Sequence, residues 1–176
     1  MNKIDFTLED KTVLDAINKM LAVTENPTEI FEGIGDALEN RTRLHFNDGE
    51  DPYGITWPAP VFRSGQPLRD TGRLMNSITH QANATGVDVG TNVCYAATQQ
   101  HGAVITAKPG DAGANGCGTR KGAPYLVFKA GGHWIRTKRV NVPARPFLPD
   151  DRGLPNEWRG DILDVISREF GIGGKS

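Results

Sequence analysis

The sequence predicts an α+β domain in which helices at both ends enclose a small antiparallel sheet. Three observations predict it: apolar residues near the N-terminus recur at helical spacing, those in the middle alternate with period two, and the helical period returns near the C-terminus. A chain of 176 residues suits one domain, residues 1–176 together, with a sizeable core and elaborate loops.

Residues 11–21, KTVLDAINKML, put Val13, Leu14, Ile17, Met20 and Leu21 on one stripe, so an amphipathic helix is expected over about 10–22. A second helix is expected to start at Asn26. Asn26 would cap it, Pro27 suits the first helical position because it has no N–H to leave unpaired, and Glu29 completes an Asn-x-x-Glu capping box. Ile30, Phe31, Ile34, Leu38 and Leu44 then line its inner face to about Phe46.

The Gly- and Pro-rich stretch 47–69 reads as a long loop anchored by Trp57 and Phe62. Asp70 is expected to cap a short helix whose Leu74 and Ile78, four residues apart, reach the core together. Val87 and Val89 alternate with polar residues after a Thr85-Gly86 turn, the pattern of a two-stranded hairpin. Asn92 looks like the cap of a further short helix that Gly102 ends.

Residues 106–123 carry Gly110, Gly113, Gly116, Gly118 and Gly122, and a mobile excursion between strands is expected there. Strand patterning resumes in YLVFKAGGHWIRTKRVNV, with a turn at Gly131-Gly132. Trp158, Ile162, Leu163, Val165 and Ile166 then form an apolar helical set over about 157–170.

No apolar run approaches the roughly 20 residues that span a bilayer, and the N-terminus lacks the pattern of a secretory signal. A cytoplasmic protein is expected. Cys94 and Cys117 are far apart and form no CxxC pair, so two reduced thiols without importance for folding are expected. Charge is distributed unevenly: residues 1–51 hold 12 acids and 5 bases, whereas residues 112–149 hold no acid and 7 bases. Such a two-ended chain suits subunits that dock acidic face to basic face, or a nucleic-acid binder.

Catalytic and cofactor patterns are missing. The Gly-rich loop lacks a Walker motif, because Lys121 is preceded by Arg120 and followed by Gly122. His45, His80, His101 and His133 form no HExxH pair, and neither cysteine stands near another ligand, so no metal site and no cofactor are expected. Ser77 has no GxSxG elbow. His133, Trp134, Arg136, Lys138 and Arg139 interleave aromatic and basic groups as single-strand binders do. Alternation along a solvated strand explains the same letters, so a nucleic-acid-binding module on the basic hairpin 129–145 stands as the alternative reading.

Four segments, RTRLHFNDGEDPYGITWPAP, PLRDTGRLMNSI, VGTNVCYAATQQHG and VPARPFLPDD, stand in an order that resembles the phage virion morphogenesis family, the tail completion proteins of Mu-like and P2-like phages and prophages. The resemblance covers about residues 28–150. It implies a structural protein, not an enzyme, that acts in tail completion and head-tail joining. It would form a ring of sixfold symmetry with copies of itself and meet the tail tube or terminator and head-neck proteins, in the host cytoplasm during assembly and then in the virion. No membrane and no nucleic-acid partner is implied. The residues that carry the resemblance as structural positions are Trp57, Asp70, Gly72, Leu74, Ile78, Gly90, Tyr95, Gly102, Arg145, Pro146 and Phe147. Gly72 is expected to allow close backbone approach, and Pro146 to fix a strand exit that sends Phe147 into the core. Lys129, Arg136, Lys138 and Arg139 are the expected assembly interface.

Overall fold

The computed structural model describes residues 11–22, 26–60, 63–107, 125–130 and 132–169. Its elements are α1 (Lys11–Leu21), α2 (Pro27–Asp48), α3 (Arg73–Asn76), β1 (Ile78–Asn83), β2 (Gly86–Thr91), α4 (Ala96–His101), β3 (Ala103–Thr106), β4 (Leu126–Ala130), β5 (His133–Thr137), β6 (Arg139–Val142) and α5 (Asn156–Glu169). The class is α+β. Among the described residues the strands form three separate two-stranded antiparallel ladders, β1–β2, β3–β6 and β4–β5, where one small sheet was expected.

Helix α2 organises the core. It packs against the β1–β2 hairpin and against α5, and α1 packs on α5. Ile30, Phe31, Ile34, Leu38 and Phe46 are buried along α2, and Trp158, Ile162, Val165 and Ile166 along α5. Phe46 and Phe147 are fully enclosed with ring centroids 5.5 Å apart, and each such burial stabilises by about 1.5–3 kcal/mol. Arg41 ties α2 to α5 with two bonds to Asp161, 2.6 and 2.8 Å, and one of 3.0 Å to Glu157. Leu14 and Leu44, expected on the inner stripes, are 41% and 48% exposed. Both sit at the margin of their helix's apolar arc.

Several expected caps are replaced by other contacts. Asn26 is the N-cap of α2 and Pro27 its first residue, yet the Asn26 side chain makes no capping bond and donates instead to Glu29 at 3.3 Å. Asp70 does not cap α3. Gly72 occupies the N-cap position at φ 73°, and Thr71 Oγ1 accepts from the Arg73 N–H at 3.3 Å. What Gly72 supplies is therefore the left-handed conformation. Ile78 belongs to β1, not to the helix, although both it and Leu74 reach the core as expected. Asn92 does not cap α4, whose N-cap is Tyr95, because Thr91 Oγ1 and the Val93 carbonyl take the nearby N–H groups of Val93 and Ala96.

Cys94 is disulfide-bonded, which overturns the expectation of two reduced thiols. The chain's other cysteine is Cys117, outside the described residues. Separation in sequence did not bound separation in space, because the entropy of closing a loop grows only slowly with its length. Phe62, residues 1–10, the Gly-rich stretch 108–124 and residues 170–176 also lie outside the described residues.

Candidate assembly surface

Two layers support the surface. In the inner layer, Trp57 anchors the long loop: its ring meets Phe46 edge-on at 5.5 Å, and its Nε1 donates to the Pro146 carbonyl at 2.8 Å. Asp51, at the head of the Asp-Pro-x-Gly motif, is buried and accepts the N–H groups of Tyr53 and Ile55 at 2.9 and 2.8 Å, closing the turn locally. The Tyr53 hydroxyl meets Asp150 and Gly153, while Arg152 bridges Asp51 and Asp150 and lies 3.7 Å over the Tyr53 ring. The hydrogen bonds from Arg152 hold the Asp150 carboxyl down at about 2.

The segment Arg145-Pro146-Phe147-Leu148 is threaded through this layer. Gln100 of α4 accepts the N–H groups of Phe147 and Leu148 at 3.0 and 3.2 Å and donates to the Leu148 carbonyl at 2.8 Å. The Arg145 N–H reaches the Gln99 carbonyl at 2.7 Å, and its guanidinium reaches the carbonyls of Pro58 and Ala59. Gly102 ends α4 at φ 70°, ψ 166°, where a Cβ would stand 2.8 Å from the Ala144 nitrogen and 3.0 Å from the Val142 oxygen. Of the remaining motif positions, Gly90 lies in β2 opposite Thr79 and Tyr95 packs half-buried on the core.

The outer layer is charged. Among the described residues hairpin β4–β5 packs chiefly on itself, and its register pairs Val127 with Arg136 and Lys129 with Trp134. Cross-strand partners share a face, and so do residues two apart. One face therefore presents Val127, Lys129, Trp134 and Arg136 together, with Val127 58% and Trp134 75% exposed. Arg136 lies 3.9 Å and Lys138 5.8 Å over the Tyr125 ring. Among the described residues, none of Lys129, Arg136, Lys138 and Arg139 meets a carboxylate. A lone two-stranded hairpin is marginal in water, so an exposed tryptophan on it marks a surface suited to a partner.

The opposite charge lies on α2, where Glu29, Glu32 and Asp36 form an exposed stripe. His80 of β1 faces it, with Nδ1 2.8 Å from Glu39, Nε2 3.1 Å from Glu32 and 3.9 Å from Asp36. Its ring lies against Gly35, where a Cβ would collide with it. Burial pulls the His80 pKa down, but the hydrogen bonds to Glu39 and Glu32 outweigh it and the net direction is up. His45 differs: it is buried, its ring lies parallel to that of Trp158 with its Nε2 accepting the indole N–H at 3.1 Å, and burial pushes its pKa down.

Sequence reasoning missed Gln100, Asp51, Tyr53, Arg152 and the His80 cluster. Asp51 alone had a local signal, the Asp-Pro-x-Gly turn. The others act across 40 or more residues of chain, where no spacing rule applies.

The sequence pattern of the phage virion morphogenesis family matches residues 8–171. A relative from Haemophilus influenzae, Mu-like prophage FluMu G protein 2, is 29% identical over 158 residues, 90% of this chain and 88% of that protein. No solved structure matches.

Proposed function

Since the chain belongs to the phage virion morphogenesis family, a structural role in building the virion is its general function, and we propose that it completes the tail and joins it to the head as a ring of identical copies. The observation that carries this reading is the separation of exposed charge of opposite sign. Cations on β4, β5 and β6 have no carboxylate partner among the described residues, while α2 carries an exposed acidic stripe. A surface of each sign on one chain favours heterologous, head-to-tail contact, the kind that closes rings. Sixfold symmetry would match a phage tail. The tail tube or terminator and the head-neck proteins are the further partners, and the protein ends in the virion.

The test reverses Arg136, Lys138 and Arg139 to glutamate. Folding stability should stay within about 0.5 kcal/mol, since the changes are at the surface, while association with other copies or with purified tails is lost. Trp134 among basic side chains also suits base stacking. Single-stranded nucleic acid bound at micromolar concentration or tighter in physiological salt, and released by the same variant, would instead support the nucleic-acid reading of the hairpin.

A further inference from the structure

Beside β6 lies a cavity of about 480 Å³, walled by Pro60, Arg63 and residues between Pro67 and Leu74, by α4 and by β6. That volume accommodates more than one side chain. Arg63, Arg73 and Arg145 line it, against one acid, Asp70. Arg145 is only 8% exposed. Its Nε and Nη2 donate to the carbonyls of Pro58 and Ala59 at 2.9 and 3.3 Å, which leaves most of its N–H donors without a partner among the described residues. No carboxylate among the described residues reaches it, and burial together with the Arg63 cation pushes its pKa down. Gln99 lines the same cavity, its Oε1 buried without a partner among the described residues. Both groups are costly as they stand: a buried guanidinium needs a counter-ion and a buried amide needs hydrogen bonds.

A carboxylate entering the cavity relieves the guanidinium, whereas the Gln99 Oε1 is an acceptor and needs a donor. The carboxylate accepts a forked pair of bonds from a guanidinium, and the Gln99 Nε2, which makes no hydrogen bond among the described residues, stands ready to donate to it. The same chain carries the complementary feature, the stripe of Glu29, Glu32 and Asp36 on α2, with Glu32 54% and Asp36 75% exposed at the side chain. Val140, Asn141 and Val142 of β6 border the cavity and follow Lys138 and Arg139 directly in the chain. We propose that this cavity is the socket of the contact between copies, and that it receives carboxylates from the Glu29–Glu32–Asp36 face of α2 on a second copy. The proposal rests on the ring reading above and names where the two copies meet.

Self-association of the full-length chain, measured by sedimentation over a range of concentrations in solution and on purified tails, tests it. R63E/R73E alters the socket and spares Arg145, which holds the loop. E29K/D36K alters the stripe and spares the carboxylates nearest His80. Each variant alone should associate at least about 10-fold more weakly, and an equimolar mixture should regain association to within about threefold, because each reversed socket then meets a reversed stripe. Melting temperature checks the fold. Should R63E/R73E fail to fold, R73E alone serves, since the Arg73 side chain makes no hydrogen bond among the described residues. Normal association of both variants, with loss in R136E/K138E/R139E, would overturn the socket and leave the ring. Weakening without recovery on mixing would overturn the pairing of these two surfaces. Failure of the unaltered chain to associate, in solution or on tails, would overturn ring and socket together.

Discussion

Trp57→Ala tests how the long loop is held. The side chain is 4% exposed, meets Phe46 at 5.5 Å and donates 2.8 Å to the Pro146 carbonyl. Truncating a buried tryptophan costs about 3–5 kcal/mol through lost transfer energy and the cavity left behind. The Pro146 carbonyl also loses its donor, which adds roughly 1 kcal/mol if water does not replace it. For a chain of this size each kcal/mol lowers the melting temperature by about 2–4 °C, so Trp57→Ala should melt at least about 6 °C lower by calorimetry. Trp57→Phe separates the two contributions: it keeps most of the packing, loses the bond and should cost about 1–2 kcal/mol. A melting temperature unchanged in Trp57→Ala, with partner binding lost, would refute the anchor and make this side chain an exposed contact.

Three further outcomes follow from the same geometry. Gly102→Ala should destabilise by at least about 1–3 kcal/mol, because its backbone conformation is one that side chains avoid and the atoms a Cβ would meet are backbone; equal denaturation midpoints would exclude this. His80, whose folded pKa is raised, should contribute stability that is complete below its unfolded value of about 6.5 and is lost as pH rises through the folded value; the stability difference between the unaltered chain and His80→Gln should shrink over that window, and a pH-independent difference would contradict it. Asp150, held at about 2, should contribute stability that is complete above the ordinary carboxyl range and is lost as pH falls toward 2. Asp150→Asn should flatten the acid limb of the stability curve, and an unchanged limb would count against the Arg152 bridge.

The α+β class was readable because period is a local property. The apolar sets of α2 and α5 repeat at helical spacing, and the β1–β2 and β4–β5 hairpins alternate around short turns. Capping was less readable. Asp70 and Asn92 are good caps by residue type, but Gly72 at positive φ and the Thr91 hydroxyl won those positions, and residue type alone does not rank such competitors. The disulfide at Cys94 was read the wrong way, since compartment and spacing say little about which loops meet. The surface divides likewise. The cations at 129, 136, 138 and 139 stand out in the sequence as a run without acids, whereas the cavity around Arg145 needs Arg63, Gln99 and β6 brought together from three segments. Only the fold does that.

Electron microscopy of lysates from a phage that carries this chain, with the chain deleted and then resupplied, decides whether it completes tails by assembling on them through charged surfaces. Deletion should leave heads and tails separate, the unaltered chain should restore joined particles, and R136E/K138E/R139E should not, although it folds. Joined particles in normal number without the chain, or with that variant, would contradict the account.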